Sequence, residues 1–372
     1  MLFRNFKSRI GFFQKETDMG TYNGKEIYEG DVHLGDEYRR AYLESVNRFI
    51  SRGKEESYQK RADFMPPEEL IKNPEKYRKM LSEMLGSPLE GYPRGIPTYE
   101  KEYVATDGLS DIYRLKIEVF PDFYFYGMLM LPLDRKEKRL PLVIAQHGGG
   151  STPEICSDMN GTSVYGHFTK RALERDMAVF APQLLLWRFD METGENKVPI
   201  DLPYNRASIN SDLRRLGTSI TALEILCIRR SVDCLTAEDY IDGGRVGMMG
   251  LSYGGYFTLY TAALDTRIKS AYAAGFFNDR VKVAFSDWQY KGDLKTFSDG
   301  EVGALIAPRR LQIDVGKTDG VFNFTEAPAE AQRTRKYYDA YGKGDELRFS
   351  YWDGGHRFDE SGEGFEFFFA GI

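Results

Sequence analysis

The stretch Val246-Gly247-Met248-Met249-Gly250-Leu251-Ser252-Tyr253-Gly254-Gly255 runs from apolar residues into a Gly-x-Ser-x-Gly pattern, and a helical pattern follows from Tyr256 to Ala263. Strand, sharp turn and helix is the arrangement that exposes a serine hydroxyl at the edge of a sheet. The turn crowds the backbone on both sides of the serine, so Gly250 and Gly254 suit it. The first turn of the following helix aims unpaired N–H groups and a positive dipole end toward Ser252. In a chain with 37 glycines such a motif also arises as a plain small-residue turn, so its partners decide the reading.

A serine hydroxyl attacks only when a base takes its proton. The chain has four histidines, His33, His147, His167 and His356. His33 lies in a polar N-terminal arm, His167 opens a helical pattern and His147 precedes the serine, where a packing or supporting role fits better. His356 follows the apolar run Leu347–Trp352 through Asp353-Gly354-Gly355, a flexible loop able to swing an imidazole toward another strand's end. The carboxylate that orients this base should come from a loop between serine and histidine. Asp319, in Gly316-Lys317-Thr318-Asp319-Gly320 after the run Leu311–Val315, is favoured. Asp314, inside that run, and Asp353, close to His356 in sequence, are the alternatives.

Attack on an acyl carbon creates an oxyanion, which needs fixed donors. Tyr253, directly after the nucleophile, supplies one backbone N–H. Gln146-His147-Gly148-Gly149-Gly150 exposes others at Gly148 or Gly149. The same glycine run could cradle a phosphate, but the Lys-Ser/Thr ending of a P-loop is missing.

These residues need a scaffold that brings distant loops together. Strand-like runs at Glu100–Ala105, Ile112–Phe120 and Tyr124–Leu131 read as an antiparallel meander. Strands near 142–146, 177–181, 246–249, 268–274, 311–315 and 347–352 then alternate with helical patterns at 165–175, 209–235, 256–263, 326–341 and 358–370. That alternation predicts an α/β fold, a mostly parallel sheet covered by helices on both faces. Before it, helices are expected over 36–50, stopped at Gly53, and over 66–86, broken at Asn73-Pro74. The Gly/Pro-rich segment 86–97 is read as a linker, dividing an N-terminal arm and helical extension (1–96) from a catalytic domain (97–372). Two long stretches near 183–208 and 276–300 interrupt the alternation after strand ends. They are expected to wall the ligand crevice, with Trp187, Arg188 and Trp288 as candidate substrate-binding residues.

Composition excludes several classes. Hydrophobic residues at 42% and charged residues at 28% are ordinary for a globular chain, and aromatics at 14% suit a large core or an aromatic-lined cleft. A net charge of -6 without a basic stripe argues against nucleic acid as partner. No run approaches a membrane span, and the start of the chain lacks the continuous apolar segment of a signal peptide. Three cysteines, Cys156, Cys227 and Cys234, are too few for a disulfide framework and fit a reducing, cytoplasmic setting. The N-terminal helices are expected to mediate a homodimer, with closure over the cleft as the alternative.

The glycine motif 146–150, Asp242-Gly243-Gly244-Arg245-Val246-Gly247 leading into Gly250–Gly255, Ile306-Ala307-Pro308-Arg309, Gly316–Asp319 and Gly354-Gly355-His356 together resemble the α/β-hydrolase superfamily. The likeness is to its dienelactone-hydrolase-like and acetyl-xylan-esterase-like branch, which shares its catalytic architecture with prolyl-oligopeptidase-type domains. It extends from about Pro97 to the C-terminus. The resemblance implies Ser252 as nucleophile, Asp319 as acid and His356 as base, with backbone donors at Tyr253 and Gly148 or Gly149. It implies neither metal nor organic cofactor. Dienelactone hydrolases typically carry a cysteine nucleophile, whereas this chain has serine. Prolyl-oligopeptidase relatives carry a large propeller that is missing here. The expected function is therefore a serine esterase cleaving small acyl groups from a carbohydrate-like or other polar alcohol. A serine peptidase and a non-catalytic binding protein on a hydrolase fold are the alternatives.

Overall fold

The computed structural model describes residues 18–87, 95–159, 161, 163–186, 188–189, 196–197, 204–283 and 286–372. The chain forms two compact units, Met1–Glu56 and Ser57–Ile372. In the first, β1 (Asp18–Tyr22) and β2 (Lys25–Glu29) form an antiparallel hairpin. Asn23 and Gly24 close it with φ of 49° and 74°, the left-handed pair that a two-residue hairpin turn requires. Helix α1 (Asp36–Phe64) begins in this unit and runs well past the stop expected at Gly53. A single glycine inside a helix costs only about 1 kcal/mol, and good helix formers flank it.

In the second unit, Asn73-Pro74 does break the next helical pattern, into α2 (Pro67–Lys72) and α3 (Pro74–Leu85). The chain does not divide near residue 96, where a linker was expected. Met65, Leu70, Tyr77, Leu81 and Leu85 are buried in the same core as the sheet, so α2 and α3 belong to the larger unit. Residues 88–94 of that segment lie outside the described residues.

One nine-stranded sheet organises this unit. Its strands are β3 (Thr98–Thr106), β4 (Ser110–Phe120), β5 (Phe123–Pro132), β6 (Leu140–Gln146) and β7 (Ala178–Pro182), then β10 (Ile241–Leu251), β11 (Ile268–Ala274), β12 (Arg310–Gly316) and β13 (Leu347–Trp352). The short pair β8 (Arg188–Phe189) and β9 (Asn196–Lys197) stands apart from it. The order is β13-β12-β11-β10-β6-β7-β5-β4-β3. The meander β3 to β5 is antiparallel and joins β7 antiparallel, while β7, β6, β10, β11, β12 and β13 run parallel.

The connecting helices are α4 (Pro153–Cys156), α5 (Phe168–Leu173), α6 (Arg206–Arg215), α7 (Ile220–Leu235), α8 (Tyr253–Leu264), α9 (Asp299–Ala304), α10 (Ala327–Ala340) and α11 (Glu363–Phe369). The single helix expected over 209–235 is two, α6 and α7. Gly217 adopts φ 85°, and Ser219 caps α7 by accepting from Ala222 N–H. The inner parallel strands are buried on both faces, whereas edge strand β13 buries only Leu347. Leu142, Ile144 and Met248 face a cluster with α3, α7 and α8, whereas Val143, Ala145 and Met249 face one with α5 and α11. Among the described residues no helix is long and apolar enough to cross a membrane.

Candidate active site

The parallel register aligns the carboxyl ends of the central strands, pairing Gly250 of β10 with Gln146 of β6, and Leu251 with Ala274 of β11. Ser252 follows β10 directly and has φ 62° and ψ -123°. A β-substituted residue held there stores on the order of 1–3 kcal/mol of strain. The surroundings impose it. Ser252 N–H donates to Ala274 O (2.8 Å) and Ser252 O accepts from Tyr256 N–H (3.0 Å). The flanking glycines are dictated by close approach, since a Cβ on Gly254 would stand 2.1 Å from Gln146 O and one on Gly250 2.4 Å from Gly254 O. The serine side chain makes no capping bond to α8, so its hydroxyl is not consumed by the helix it precedes.

His356 begins three strands away, after β13 at the sheet edge, roughly 14 Å from β10 at normal strand spacing. The loops after β12 and β13 lie against each other. Lys317 N–H donates to Trp352 O (2.9 Å), Thr318 N–H donates to Gly354 O (3.0 Å), and a Cβ on Gly316 would meet Gly354 O at 2.2 Å. The imidazole thereby reaches the end of β11, where a Cβ on Gly275 would stand 3.4 Å from His356 Cε1 and 2.8 Å from Leu251 Cδ1. Gly275 follows Ala274, whose carbonyl holds the Ser252 N–H, so serine and imidazole occupy the ends of neighbouring strands.

Asp319 is the carboxylate bound to this imidazole, with Oδ2 2.7 Å from His356 Nδ1. Its other oxygen accepts from Val321 N–H (2.7 Å) and Phe322 N–H (3.0 Å). Burial raises the carboxyl, but the bonds from His356, Phe322 and Val321 outweigh it and hold Asp319 below the usual aspartate value. An ionised Asp319 accepts from Nδ1–H, which leaves Nε2 of a neutral ring as the basic nitrogen. The two alternative aspartates are engaged elsewhere. Asp314 is buried and accepts from Tyr272 OH, Gln312 Nε2 (2.6 Å) and Asp359 N–H (3.0 Å). Burial, only partly offset by those bonds, pushes it up to about 6. Asp353 is 86% exposed and pairs with Lys317.

On the other side of Ser252 lies the glycine turn after β6. A Cβ on Gly148 would stand 2.6 Å from Leu251 O and 3.1 Å from Ser252 Cβ, so only glycine lets the turn come this close. Gly148 N–H, expected as an oxyanion donor, instead donates to Tyr165 OH (2.8 Å). A buried hydroxyl beside the turn takes the bond first. Gly149 is only half buried, and Tyr253 opens α8, whose first-turn donors point out of the helix end. His147 is fully buried, and burial lowers its imidazole to about 4 against the bond to Gly148. Its Nε2 accepts from Leu184 N–H (2.9 Å), so Nδ1 carries the proton and donates to Gly148 O (2.9 Å).

Of the three expected substrate contacts, Trp187 lies outside the described residues and only the backbone of Arg188 is described. Trp288 is 3% exposed and stacks on Tyr256, with ring centroids 4.5 Å apart, and on Phe322, at 6.3 Å. It is therefore a buried support and not an open platform. Phe322 in turn lies 5.7 Å from the His356 ring. Tyr165, Glu224, Arg206 and Asp287 belong to no sequence motif, yet they lie around this site. Tyr253 OH donates to Asp287 Oδ1 (2.9 Å), and Arg206 Nε donates to Asp287 Oδ2 (2.8 Å). Arg206 opens α6 directly after a stretch with no clear period, so no local pattern marks it as a buried arginine. A cavity of about 590 Å³ opens beside His356, lined by Ser163, Gly166, Arg171, Arg357, Phe358 and others. No cluster of side chains suited to a metal ion occurs among the described residues.

No family model and no curated protein sequence matches the chain. Solved structures do. A glucuronoyl esterase from Solibacter usitatus superposes with a TM-score of 0.57 at 16% identity, covering 79% of this chain and 91% of its own. Glucuronoyl esterase from Teredinibacter turnerae gives 0.58 at 14% identity, covering 82% and 84%. Acetyl xylan esterase 1 from Thermoanaerobacterium sp. gives 0.51 at 15% identity, covering 82% and 99%. At these identities the likeness is one of architecture, and with the sheet order and the β10–Ser252–α8 turn it establishes that the chain has the α/β-hydrolase fold.

Proposed function

We propose that the chain is a serine carboxylic ester hydrolase acting on small acyl esters of carbohydrate or similarly polar alcohols. The observation that carries this reading is the His356 Nδ1–Asp319 Oδ2 bond of 2.7 Å, which leaves Nε2 of a neutral ring as the basic nitrogen on a loop that reaches the strand next to the strained serine elbow. Ser252 Oγ attacks the ester carbonyl as His356 Nε2 takes its proton. Asp319 stabilises the resulting imidazolium, and the N–H groups of Tyr253 and Gly149 receive the oxyanion. Collapse expels the alcohol, protonated by His356, and leaves an acyl-serine. Water, deprotonated by the same imidazole, releases the acid. No step calls for a cofactor.

The carbohydrate preference is supported by the neighbours, which are named as acetyl xylan and glucuronoyl esterases. The test compares turnover of an aryl acetate, an acetylated xylo-oligosaccharide and an alkyl glucuronate by wild type and Ser252→Ala. Equal turnover of all three by the variant sinks the mechanism. Turnover of the aryl acetate alone sinks the sugar preference. Three buried, unpaired cysteines favour a cytoplasmic setting. A homodimer through the first unit is supported by Tyr38, Tyr42 and Phe49, 75%, 74% and 75% exposed along α1. Deleting residues 1–50 should then halve the solution mass, and an unchanged assembly refutes the dimer.

A further inference from the structure

The two backbone elements assigned to the oxyanion, the start of α8 and the turn after β6, belong to different loops. Among the described residues a largely buried run of hydrogen bonds, continued through the Leu184–Leu185 peptide, connects them. Tyr253 OH donates to Asp287 Oδ1 (2.9 Å), and Asp287 Oδ2 accepts from Arg206 Nε (2.8 Å). Arg206 then forks onto both oxygens of Glu224 in α7, at 3.0 and 2.8 Å, and also donates to Leu185 O (3.0 Å). Glu224 Oε1 accepts from Leu185 N–H (2.8 Å). The adjacent Leu184 N–H donates to His147 Nε2 (2.9 Å), and His147 Nδ1 donates to Gly148 O (2.9 Å). Arg206, Glu224 and Asp287 have side chains only 10%, 5% and 3% exposed.

We propose that this chain, with Asp287 and Arg206 at its centre, is a positioning device that sets the separation between the Tyr253 N–H and the Gly148–Gly149 turn. The inference rests on the hydrolase reading above. Arg206 spends four hydrogen bonds on protein groups, so it acts through its neighbours and not on substrate. A purely cohesive role would be served as well by apolar packing, because a buried ion pair adds little net stability over hydrophobic residues of similar size. Directional bonds do what packing does not: they fix donor positions to a fraction of an ångström. Oxyanion stabilisation is sensitive on that scale, with about 1 Å of misplacement costing on the order of 100-fold. Trp288, adjacent to Asp287, packs its ring 4.7 Å from that of Tyr253, so the same loop holds the tyrosine from two sides.

The experiment is a double-mutant cycle on Asp287→Ala and Tyr253→Phe, with kcat and KM on an aryl acetate normalised to active sites titrated by a fluorophosphonate. Asp287→Ala should lower kcat by about 30- to 100-fold and leave KM within about threefold, since the lost interaction matters only in the transition state. Tyr253→Phe should lower kcat about tenfold. The double variant should be no worse than Asp287→Ala within about twofold, because both act along one chain. Losses that multiply, or a rise in KM with kcat unchanged, overturn the proposal. Should Asp287→Ala fail to fold, Asp287→Asn keeps an acceptor for Tyr253 OH and removes the charge held by Arg206; wild-type kcat in that variant also overturns it. Wild-type turnover unaffected by Ser252→Ala would sink the hydrolase reading itself, whereas a Ser252-dependent enzyme with a multiplicative cycle sinks this inference alone.

Discussion

Replacing Asp319 by asparagine separates a catalytic role from a structural one. The Oδ1 of Asp319 accepts two backbone N–H groups, from Val321 and Phe322, and its Oδ2 accepts from His356 Nδ1. An asparagine must keep its carbonyl oxygen on the two N–H groups, since the flipped amide would set donor against donor. Its NH₂ then faces Nδ1, which must become an acceptor, and the ring proton moves to Nε2. The imidazole stays in place but presents a proton where the mechanism needs a lone pair. In serine hydrolases with this geometry the wrong tautomer costs about 10³- to 10⁴-fold in kcat, or about 4–5.5 kcal/mol of transition-state stabilisation. The loop should hold, because its two backbone bonds survive. Steady-state kinetics on an aryl acetate and the rate of fluorophosphonate labelling should fall together, with the melting temperature within a few degrees of wild type. Asp353→Asn, at the exposed Lys317 pair, should stay within about twofold. A loss below tenfold in folded Asp319→Asn, or an equal loss in Asp353→Asn, refutes the assignment.

Gly254→Ala places a Cβ 2.1 Å from Gln146 O, which must push the β6 turn away from Ser252; kcat should fall at least about 100-fold, and an active, soluble variant contradicts this geometry. Arg61 is 1% exposed and donates to both Glu301 and Glu330. Arg61→Ala strands two buried carboxylates and should cost about 3–5 kcal/mol in urea unfolding; a loss below about 1 kcal/mol would show that the acids neutralise without it. Asp314, raised by burial from 3.8 to about 6, binds its proton more tightly folded than unfolded. Its contribution therefore favours folding at low pH and is lost as pH rises through that window, by up to about 3 kcal/mol. The stability difference between wild type and Asp314→Asn should change by about that amount between about pH 3 and 7 and stay flat above; a difference independent of pH refutes it.

Local chemistry was enough to locate the elements that carry the site. The short runs at 142–146, 246–249, 268–274 and 311–315 are strands buried almost throughout on both faces, as their apolar content and their length of a few residues between turn signals suggest. Ser252, Asp319 and His356 stood out because each follows such a run on a glycine-containing turn. Helix ends were less legible. Gly53 leaves α1 unbroken, whereas Gly217 breaks the pattern over 209–235, and the difference is that Ser219 and Asn210 offer the new N-terminus acceptors.

Local sequence encodes the succession of strands and turns along the chain and the types of group that follow them, because propensity, burial pattern and turn chemistry act over a few residues. Tertiary structure decided everything that depends on distance between segments remote in sequence. It put Asp319, and not Asp314, against His356, because strand pleating buries Asp314 against Tyr272 while the next loop carries Asp319 to the imidazole. It also gave Gly148 N–H to Tyr165, turned Trp288 inward, and assembled Arg206, Glu224 and Asp287 into one buried chain. Such pairings follow from how the sheet twists and layers pack, and no local pattern encodes a hydrogen bond between residues 206 and 287.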